Sequence, residues 1–141
     1  MLKFLIGLPV LGIVVFIHEL GHFIAAKLCG VSVESFSIGW GPVLLHKKFG
    51  TTDYRLSAIP LGGYCGMKGE KAFQQAIEEN LAAIPKKEGE LYGVHPFKRI
   101  IIAFAGPFAN YISAVLALAI VSAIGSSYYT SSNKIAPVYY Y

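Results

Sequence analysis

Residues 2–28 read LKFLIGLPVLGIVVFIHELGHFIAAKL, an apolar stretch that is interrupted near its end by His18-Glu19-Leu20-Gly21-His22. A second stretch, residues 100–125, reads IIIAFAGPFANYISAVLALAIVSAIG and contains no charged residue. A helix that crosses the hydrocarbon core of a bilayer needs roughly 20 mainly apolar residues. The two stretches therefore predict two transmembrane helices. A cleaved signal peptide is disfavoured, because the first stretch continues through the polar pentapeptide.

The composition agrees with a membrane protein. Apolar residues make up 55% of the chain and charged residues 14%, whereas a soluble domain has about 25% charged residues. Most of the 12 lysines and arginines lie between the two apolar stretches. Cytoplasmic loops carry an excess of Lys and Arg, so we expect the connecting segment in the cytoplasm and both chain ends on the far side. The net charge of +4 then reflects topology, and we expect no nucleic-acid partner.

Between the predicted spans the sequence pattern changes. Gly30 is a predicted C-cap of the first helix. Short β-like runs punctuated by glycine over residues 31–59 predict a small antiparallel sheet, with a hairpin turn near Gly50 and an end at residues 60–63. Apolar side chains at helical spacing over residues 73–84 predict an amphipathic helix, which lies on the membrane surface or packs against protein.

The predicted fold class is an α-helical integral membrane protein with a small membrane-associated β-sheet between two transmembrane helices. Cys29 and Cys65 fall on the reducing side of this topology, which argues against a disulfide. The predicted segments are a first transmembrane helix with the histidine motif (1–28), a membrane-associated β loop (29–69), a cytoplasmic amphipathic helix and connector (70–99), a second transmembrane helix (100–125) and a periplasmic tail (126–141).

The pentapeptide at residues 18–22 is an H-E-x-x-H sequence, a pattern typical of zinc metalloproteases. Residues four apart share one helix face, so His18 and His22 can reach one metal ion while Glu19 stays near a bound water. Zn²⁺ suits nitrogen ligands and acidifies water, and Glu19 is the candidate general base. The alternative is a polar helix end at the membrane interface. Ionisable groups inside a transmembrane helix are costly and usually functional, which favours the metal site.

A catalytic zinc site normally has three protein ligands, and this motif supplies two. Other side chains of suitable chemistry are more simply explained as loop residues. They are His46, Asp53, Cys65, Glu70 and His95. We therefore expect the third ligand beyond Tyr141.

Three more phrases follow the motif in order: Gly39-Trp40-Gly41-Pro42, Ile59-Pro60-Leu61-Gly62-Gly63-Tyr64 and Ala105-Gly106-Pro107-Phe108-Ala109-Asn110. Together the four resemble the site-2 protease family of intramembrane zinc metalloproteases, in particular the bacterial regulator-of-sigma-E protease branch, over nearly the whole chain. The resemblance implies a zinc endopeptidase, multi-pass in the bacterial inner (cytoplasmic) membrane. Its implied partners are the lipid bilayer and single-pass membrane substrates, namely anti-sigma factors and remnant signal peptides cleaved in regulated intramembrane proteolysis.

The family pattern also implies an aspartate in a third span and PDZ domains between the second and third spans. The chain is accordingly expected to be a partial protein whose tail leads toward a PDZ domain. The resemblance further implies that Asn110 contacts the substrate backbone or the developing oxyanion. Gly106 and Pro107 are expected to loosen the helix beside it, and we predict that both contact the substrate together with Asn110. A structural bond from Asn110 to the first helix is the alternative.

The sheet has two open interpretations. A free edge at membrane depth, at Gly62 and Gly63, is expected to pair with an unwound substrate strand, or the sheet only packs against the motif helix. Competing functions are a non-catalytic membrane adaptor on the same scaffold and the branch of the protease family without PDZ domains. A transporter subunit has little support beyond the two spans, and the oligomeric state is left open.

Overall fold

The computed structural model describes residues 2–125, with side chains from Gly7 onward. The elements in chain order are α1 (Leu2–Cys29), β1 (Val33–Phe49), β2 (Thr52–Met67), α2 (Ala72–Glu78) and α3 (Pro96–Ile124). Helix α3 packs along α1, and the sheet packs against another side of α1. Two long apolar helices flanking a small sheet confirm the predicted fold class. The predicted tail, 126–141, lies outside the described residues.

Both long helices meet the requirements for crossing a bilayer. Gly7–Cys29 and Pro96–Ile124 provide 23 and 29 residues of sufficiently apolar helix. Large apolar side chains on both helices point away from the protein: Leu28 is 82% exposed and Leu118 is 68% exposed. Water is a poor solvent for such a surface, whereas hydrocarbon is a good one. The exposed apolar surface therefore fits lipid-facing helices.

The first helix ends where the sequence predicts. Gly30 has φ +84°, a conformation that favours glycine. The Val31 N–H donates to the Ala26 carbonyl at 2.8 Å, and the Gly30 N–H donates to the Lys27 carbonyl at 3.2 Å. This pair of bonds is the Schellman motif, so Gly30 is confirmed as the residue that ends α1.

The second long helix begins earlier than its apolar run. Its first residue is Pro96, whose fixed φ and missing N–H suit the first helical position. The Nδ1 atom of His95 accepts a hydrogen bond from the Phe97 N–H at 3.2 Å. The prediction of a start at Ile100 was therefore wrong by four residues, because a polar cap and a proline set this end.

The sheet is a single antiparallel hairpin of two long, bent strands. The chain turns at Gly50 and Thr51, which confirms the predicted turn. Residues 35–38 are in register with two separate segments of β2, 53–56 and 63–66. The strands bend enough that the start of β1 has a segment of β2 along each of its two edges.

The predicted end of the sheet at residues 60–63 was wrong, because β2 continues to Met67. Proline is tolerated at a sheet edge, where its missing N–H breaks no ladder bond, and Pro60 lies within β2. Gly62 has φ +82°, so the strand changes direction there without a steric penalty. The Pro-Leu-Gly-Gly sequence therefore bends the strand rather than ending it.

The short helix α2 is shorter than the predicted helix over residues 73–84. Asn80 has φ 52°, and a left-handed asparagine after the last turn ends a helix. Phe73 stacks on Tyr92 with ring centroids 6.3 Å apart, while Ile77 stays 61% exposed. Attachment of this helix to a membrane surface stays a prediction.

The buried core lies where the second half of α1, the sheet and the start of α3 meet. Phe36 is at its centre, with ring centroids 5.0 Å from Phe23 and 6.1 Å from Phe16. The other buried members are small or branched, namely Ala25, Ala26, Cys29, Val31, Val33, Cys65 and Ile102. The H-E-x-x-H motif lies beside this core, so its helix is held on two sides.

Candidate functional site

The two motif histidines are placed together on consecutive turns of α1. Their Nε2 atoms are 3.2 Å apart, and the rings meet edge to face with centroids 4.8 Å apart. Both residues are half-buried. The helical spacing that predicts a shared face is thus realised with both Nε2 atoms directed to one point.

Helix α3 holds the other nitrogen of each ring. The Nδ1 atom of His22 is 2.7 Å from the Ile102 carbonyl oxygen, and a carbonyl oxygen only accepts hydrogen bonds. His22 therefore carries its proton on Nδ1 and presents a lone pair at Nε2. The Nδ1 atom of His18 is 3.2 Å from Asn110 Nδ2. Both rings are fixed from the same neighbouring helix.

Gly106 occupies the point of closest approach between α3 and the histidines. A Cβ atom built there would lie 2.7 Å from His18 Nε2, and it would also clash with His22 Nε2. Ile102, Gly106 and Asn110 follow one another at four-residue spacing, which places them on one helix face. The face therefore presents a carbonyl, backbone without a side chain and an amide to the histidine pair.

The donor set fits a zinc ion. Zn–N bonds of 2.0–2.1 Å in a tetrahedral site imply an N···N separation of about 3.3 Å, and the observed separation is 3.2 Å. A ligating histidine commonly donates its other N–H to a carbonyl or carboxylate, and the Ile102 carbonyl does this for His22. The space next to both Nε2 atoms is kept free of side chain by Gly106.

Glu19 lies on a different side of α1, facing the sheet. Its Cγ atom is 3.5 Å from where a Cβ of Gly63 would be. Trp40 Nε1 donates to the Gly63 carbonyl at 3.3 Å, and a Cβ on Gly62 would lie 2.9 Å from the Trp40 indole. The Gly62-Gly63 segment therefore runs between the Trp40 indole and the Glu19 side chain.

The five other candidate ligands do not join the histidine pair. Within residues 2–125, no group of three or more His, Cys, Asp and Glu side chains is arranged to hold a metal ion. Cys65 is part of the buried core, and His95 caps α3. Glu70 accepts from the Met67 N–H at 3.3 Å.

Asp53 and His46 belong to an exposed cluster on the sheet. Asp53 Oδ2 accepts from Arg55 Nε at 2.7 Å, and Asp53 Oδ1 is 3.3 Å from His46 Nδ1. The Arg55 guanidinium, followed by His46, holds the pKa of the Asp53 carboxyl below its ordinary value. The cluster is satisfied internally and stabilises the hairpin surface.

An open cavity of about 570 Å³ reaches His22 from the side of the connecting segment. Its lining combines apolar side chains with Glu70 and Arg99, and Tyr92 lies under the Arg99 guanidinium at 5.2 Å. One wall is Ile102, whose carbonyl contacts His22. The cavity therefore connects polar surface groups with the edge of the histidine pair.

Sequence reasoning missed two participants in this site. The Ile102 carbonyl is a backbone group, so the residue type at this position does not indicate its role. Trp40 was noted only as part of a motif, although its indole contacts the Gly62-Gly63 segment. The four-residue spacing of Ile102, Gly106 and Asn110 was the available signal for a face of α3 directed at the motif.

Comparison with known proteins places these residues in a family. The sequence pattern of Peptidase family M50 matches residues 6–137. A protein of Treponema pallidum named "Putative zinc metalloprotease" is 62% identical over 141 residues, which is 100% of this chain and 31% of that protein. A protein of the same name from Borreliella burgdorferi is 42% identical over 126 residues, 89% of this chain and 29% of that protein.

A Helicobacter pylori protein with this name is 42% identical over 113 residues, which is 80% of the chain and 31% of the relative. The chain thus spans about a third of the length of the curated relatives it matches. The family match, by contrast, covers nearly the whole chain. The chain belongs to peptidase family M50, the site-2 protease family.

Proposed function

We propose that this chain supplies the metal-binding helix pair of a zinc-dependent intramembrane endopeptidase. His18 and His22 hold the zinc ion through Nε2, and Glu19 is the general base. The observation that carries the proposal is the 3.2 Å separation of the two Nε2 atoms, with no side chain between them and the α3 backbone at Gly106. The names of the relatives support zinc and peptidase chemistry.

The bound zinc ion would supply Lewis acidity, which lowers the pKa of a coordinated water and polarises a carbonyl. The Ile102 carbonyl orients His22 Nδ1–H, so Nε2 is the nitrogen of His22 that would bind the metal. Glu19 follows His18 directly on α1, and a carboxylate oxygen there accepts a proton from the attacking water. The same carboxyl group then donates that proton to the leaving amine.

We further propose that the substrate is an extended segment of a single-pass membrane protein. Backbone groups at membrane depth must be satisfied by protein or water, and a sheet edge pairs readily with an added strand. The Gly62-Gly63 segment lies next to Glu19 and is held by the Trp40 indole, so a substrate strand added along it would lie near the proposed base. Anti-sigma factors and remnant signal peptides, cleaved in regulated intramembrane proteolysis, are the substrates that the family pattern suggests.

Three residues of α3 carry predicted substrate contacts, namely Gly106, Pro107 and Asn110. Pro107 is exposed on α3 next to Gly106, and substrate contact there stays a prediction. The described contacts of Gly106 and Asn110 are with the histidines. We propose that these two residues serve the substrate indirectly, through the geometry of the metal pair.

The proposed location is the bacterial inner membrane, in a multi-pass protein. The basic connecting segment is placed in the cytoplasm, and the far ends of α1 and α3 on the periplasmic side. The cavity that reaches His22 then opens toward the cytoplasm and gives water a route to the site. Labelling of Lys47→Cys and Gly125→Cys in intact cells, each in a Cys29→Ser, Cys65→Ser background, tests this topology, since only Gly125→Cys is expected to react with an impermeant reagent.

The decisive test compares Glu19→Gln with the unchanged full-length protein on a membrane-anchored reporter substrate. The variant is expected to retain one zinc per chain and to lose at least about 100-fold in cleavage rate, since general base catalysis contributes 10²–10⁴-fold. Glu34→Gln, an exposed glutamate on β1, is the matched control and should cleave normally. Undiminished cleavage by Glu19→Gln refutes the assigned base.

A non-catalytic adaptor is the competing function. It is favoured by one observation, that only two candidate ligands meet among residues 2–125. An adaptor need not hold stoichiometric metal, so metal analysis of the purified full-length protein separates the two functions. Loss of bound zinc in His18→Ala supports the protease, whereas a protein without bound metal supports the adaptor.

A further inference from the structure

We infer that Asn110 is a positioning residue for His18, and that its side-chain amide has two working orientations. In one, Nδ2–H donates a hydrogen bond to His18 Nδ1; in the other, Oδ1 accepts a hydrogen bond from His18 Nδ1–H. The second orientation belongs to the zinc-loaded pair. This inference rests on the proposed function, because it takes His18 and His22 as the metal site.

The first orientation is the one in the structure, where it completes a chain of hydrogen bonds. The Ile102 carbonyl accepts from His22 Nδ1–H, which leaves a lone pair on His22 Nε2. His18 Nε2 lies 3.2 Å from His22 Nε2, so His18 carries its ring proton on Nε2 and donates to that lone pair. His18 Nδ1 then has a lone pair, and Asn110 Nδ2 lies 3.2 Å away to donate to it.

This series of hydrogen bonds leaves the Asn110 side-chain oxygen without a partner. The Oδ1 atom of Asn110 is buried and has no hydrogen-bond partner among the described residues. Buried polar atoms are nearly always paired, and an unpaired one in a functional site calls for an explanation. No described residue therefore fixes the amide in one orientation from the Oδ1 side.

A cation at the two Nε2 atoms changes the requirement. Each Nε2 must then present a lone pair, so His18 carries its proton on Nδ1 and needs an acceptor there. The oxygen and nitrogen of an asparagine amide occupy nearly equivalent positions. Turning the Asn110 amide over places Oδ1 where Nδ2 was, 3.2 Å from His18 Nδ1, without movement of either helix.

The turned amide gives the two histidines equivalent support. His22 Nδ1 donates to the Ile102 carbonyl, and His18 Nδ1 donates to the Asn110 carbonyl oxygen of the side chain. Both acceptors come from one face of α3, eight residues apart. An acceptor behind a ligating imidazole fixes its tautomer and raises its basicity. Asn110 therefore contributes to metal affinity rather than to substrate contact.

The experiment measures zinc affinity of the purified full-length protein by competition with a chromophoric chelator, which needs no cleavage assay. Asn110→Leu removes the acceptor and should weaken zinc binding roughly 10–100-fold, the usual effect of losing an outer-shell partner. Asn110→Asp is nearly isosteric and can only accept, so it should bind zinc at least as tightly as the unchanged protein. Tyr111→Phe, on an exposed neighbouring side chain, should have no effect.

The variants separate positioning from packing. If Asn110 only donates a bond that holds α3 against α1, Asn110→Asp loses that donor and weakens zinc binding as Asn110→Leu does. Weaker binding by Asn110→Asp than by the unchanged protein, or unchanged binding by a folded Asn110→Leu, overturns the inference. If Asn110→Leu fails to fold, the comparison of Asn110→Asp with the unchanged protein decides alone.

The same measurement distinguishes failure of the proposed function. An unchanged protein that binds no stoichiometric zinc, or His18→Ala that binds zinc normally, overturns the metal site and this inference together. Normal zinc binding that is lost in His18→Ala, combined with equal weakening in both Asn110 variants, overturns only the role of Asn110.

Discussion

Gly106 faces His18 so closely that a Cβ on the glycine would lie 2.7 Å from the Nε2 atom of the histidine. Real Cβ contacts of this length do not persist, so α3 can approach α1 at this level only because residue 106 has no side chain. The approach brings the Ile102 carbonyl and the Asn110 amide within reach of the two rings. One glycine therefore sets the spacing on which the site depends.

Gly106→Ala is expected to disrupt the histidine pair. Either α3 shifts outward or the rings rotate away, and overpacking of this kind costs about 1–3 kcal/mol. We expect at least about tenfold weaker zinc binding, as found when outer-shell partners of a ligand are lost. The measurements are chelator competition and thermal unfolding in detergent.

Gly7→Ala is the matched control, because a Cβ at Gly7 would meet nothing within 4 Å. Alanine is a better helix former than glycine by about 1 kcal/mol, so this control should be neutral or slightly more stable. Unchanged zinc affinity and stability in Gly106→Ala would show that the helices are less closely packed than the structure has them.

Gly21→Ala should separate the two helices at the level of the metal pair itself, because Gly21 lies between His18 and His22. A Cβ at Gly21 would clash with the Ala105 carbonyl oxygen and lie 2.8 Å from the Ala109 Cβ. Small residues at such positions let transmembrane helices approach closely. We expect a loss of about 1–3 kcal/mol in the free energy of unfolding, measured by denaturant titration in mixed micelles. A stability equal to that of Gly7→Ala would contradict the prediction.

The helices and the hairpin turn were predictable because their signals are local. Length and hydropathy identify α1 and α3, and Gly30 and Gly50 mark chain reversals through their own backbone preferences. The end of the sheet was not predictable in this way. Pro60 and Gly62 normally interrupt a strand, but here the strand bends around β1 and regains partners at residues 63–66.

The candidate site was predictable where it depends on one helix. The four-residue spacing of His18 and His22 on α1 is enough to bring their Nε2 atoms together. The partners of the Nδ1 atoms depend on how α3 packs against α1, which no local pattern specifies. The contact of Asn110 with His18 depends on that packing, and a substrate contact by Asn110 stays a prediction.

Thr52→Val tests the junction between the hairpin and the start of β1. The Thr52 hydroxyl is fully buried and donates to the Val33 carbonyl at 2.8 Å. Valine has the same shape but leaves that carbonyl without this donor, which costs about 1–3 kcal/mol when the group is buried. The exposed neighbour Thr51 gives the control Thr51→Val, which should change stability by less than about 0.5 kcal/mol. Equal effects of the two substitutions would show that the hydroxyl contributes nothing.

Cys65 should be almost inert toward alkylation until the protein unfolds. Burial, with smaller contributions from Glu19 and Glu70, raises the pKa of its thiol to about 12 from an ordinary 9.0. Only the thiolate reacts, so at pH 9 ionisation alone predicts roughly 500-fold slower labelling than for an exposed thiol. The raised pKa also stabilises the fold below pH 9, and that contribution is lost as the pH rises toward 12. A Cys29→Ser background leaves Cys65 as the one thiol of residues 1–141, and mass spectrometry of the peptide that contains Cys65 follows its reaction with iodoacetamide with and without denaturant. Rapid labelling of the folded protein at pH 9 would mean that β2 does not hold this side chain in the core.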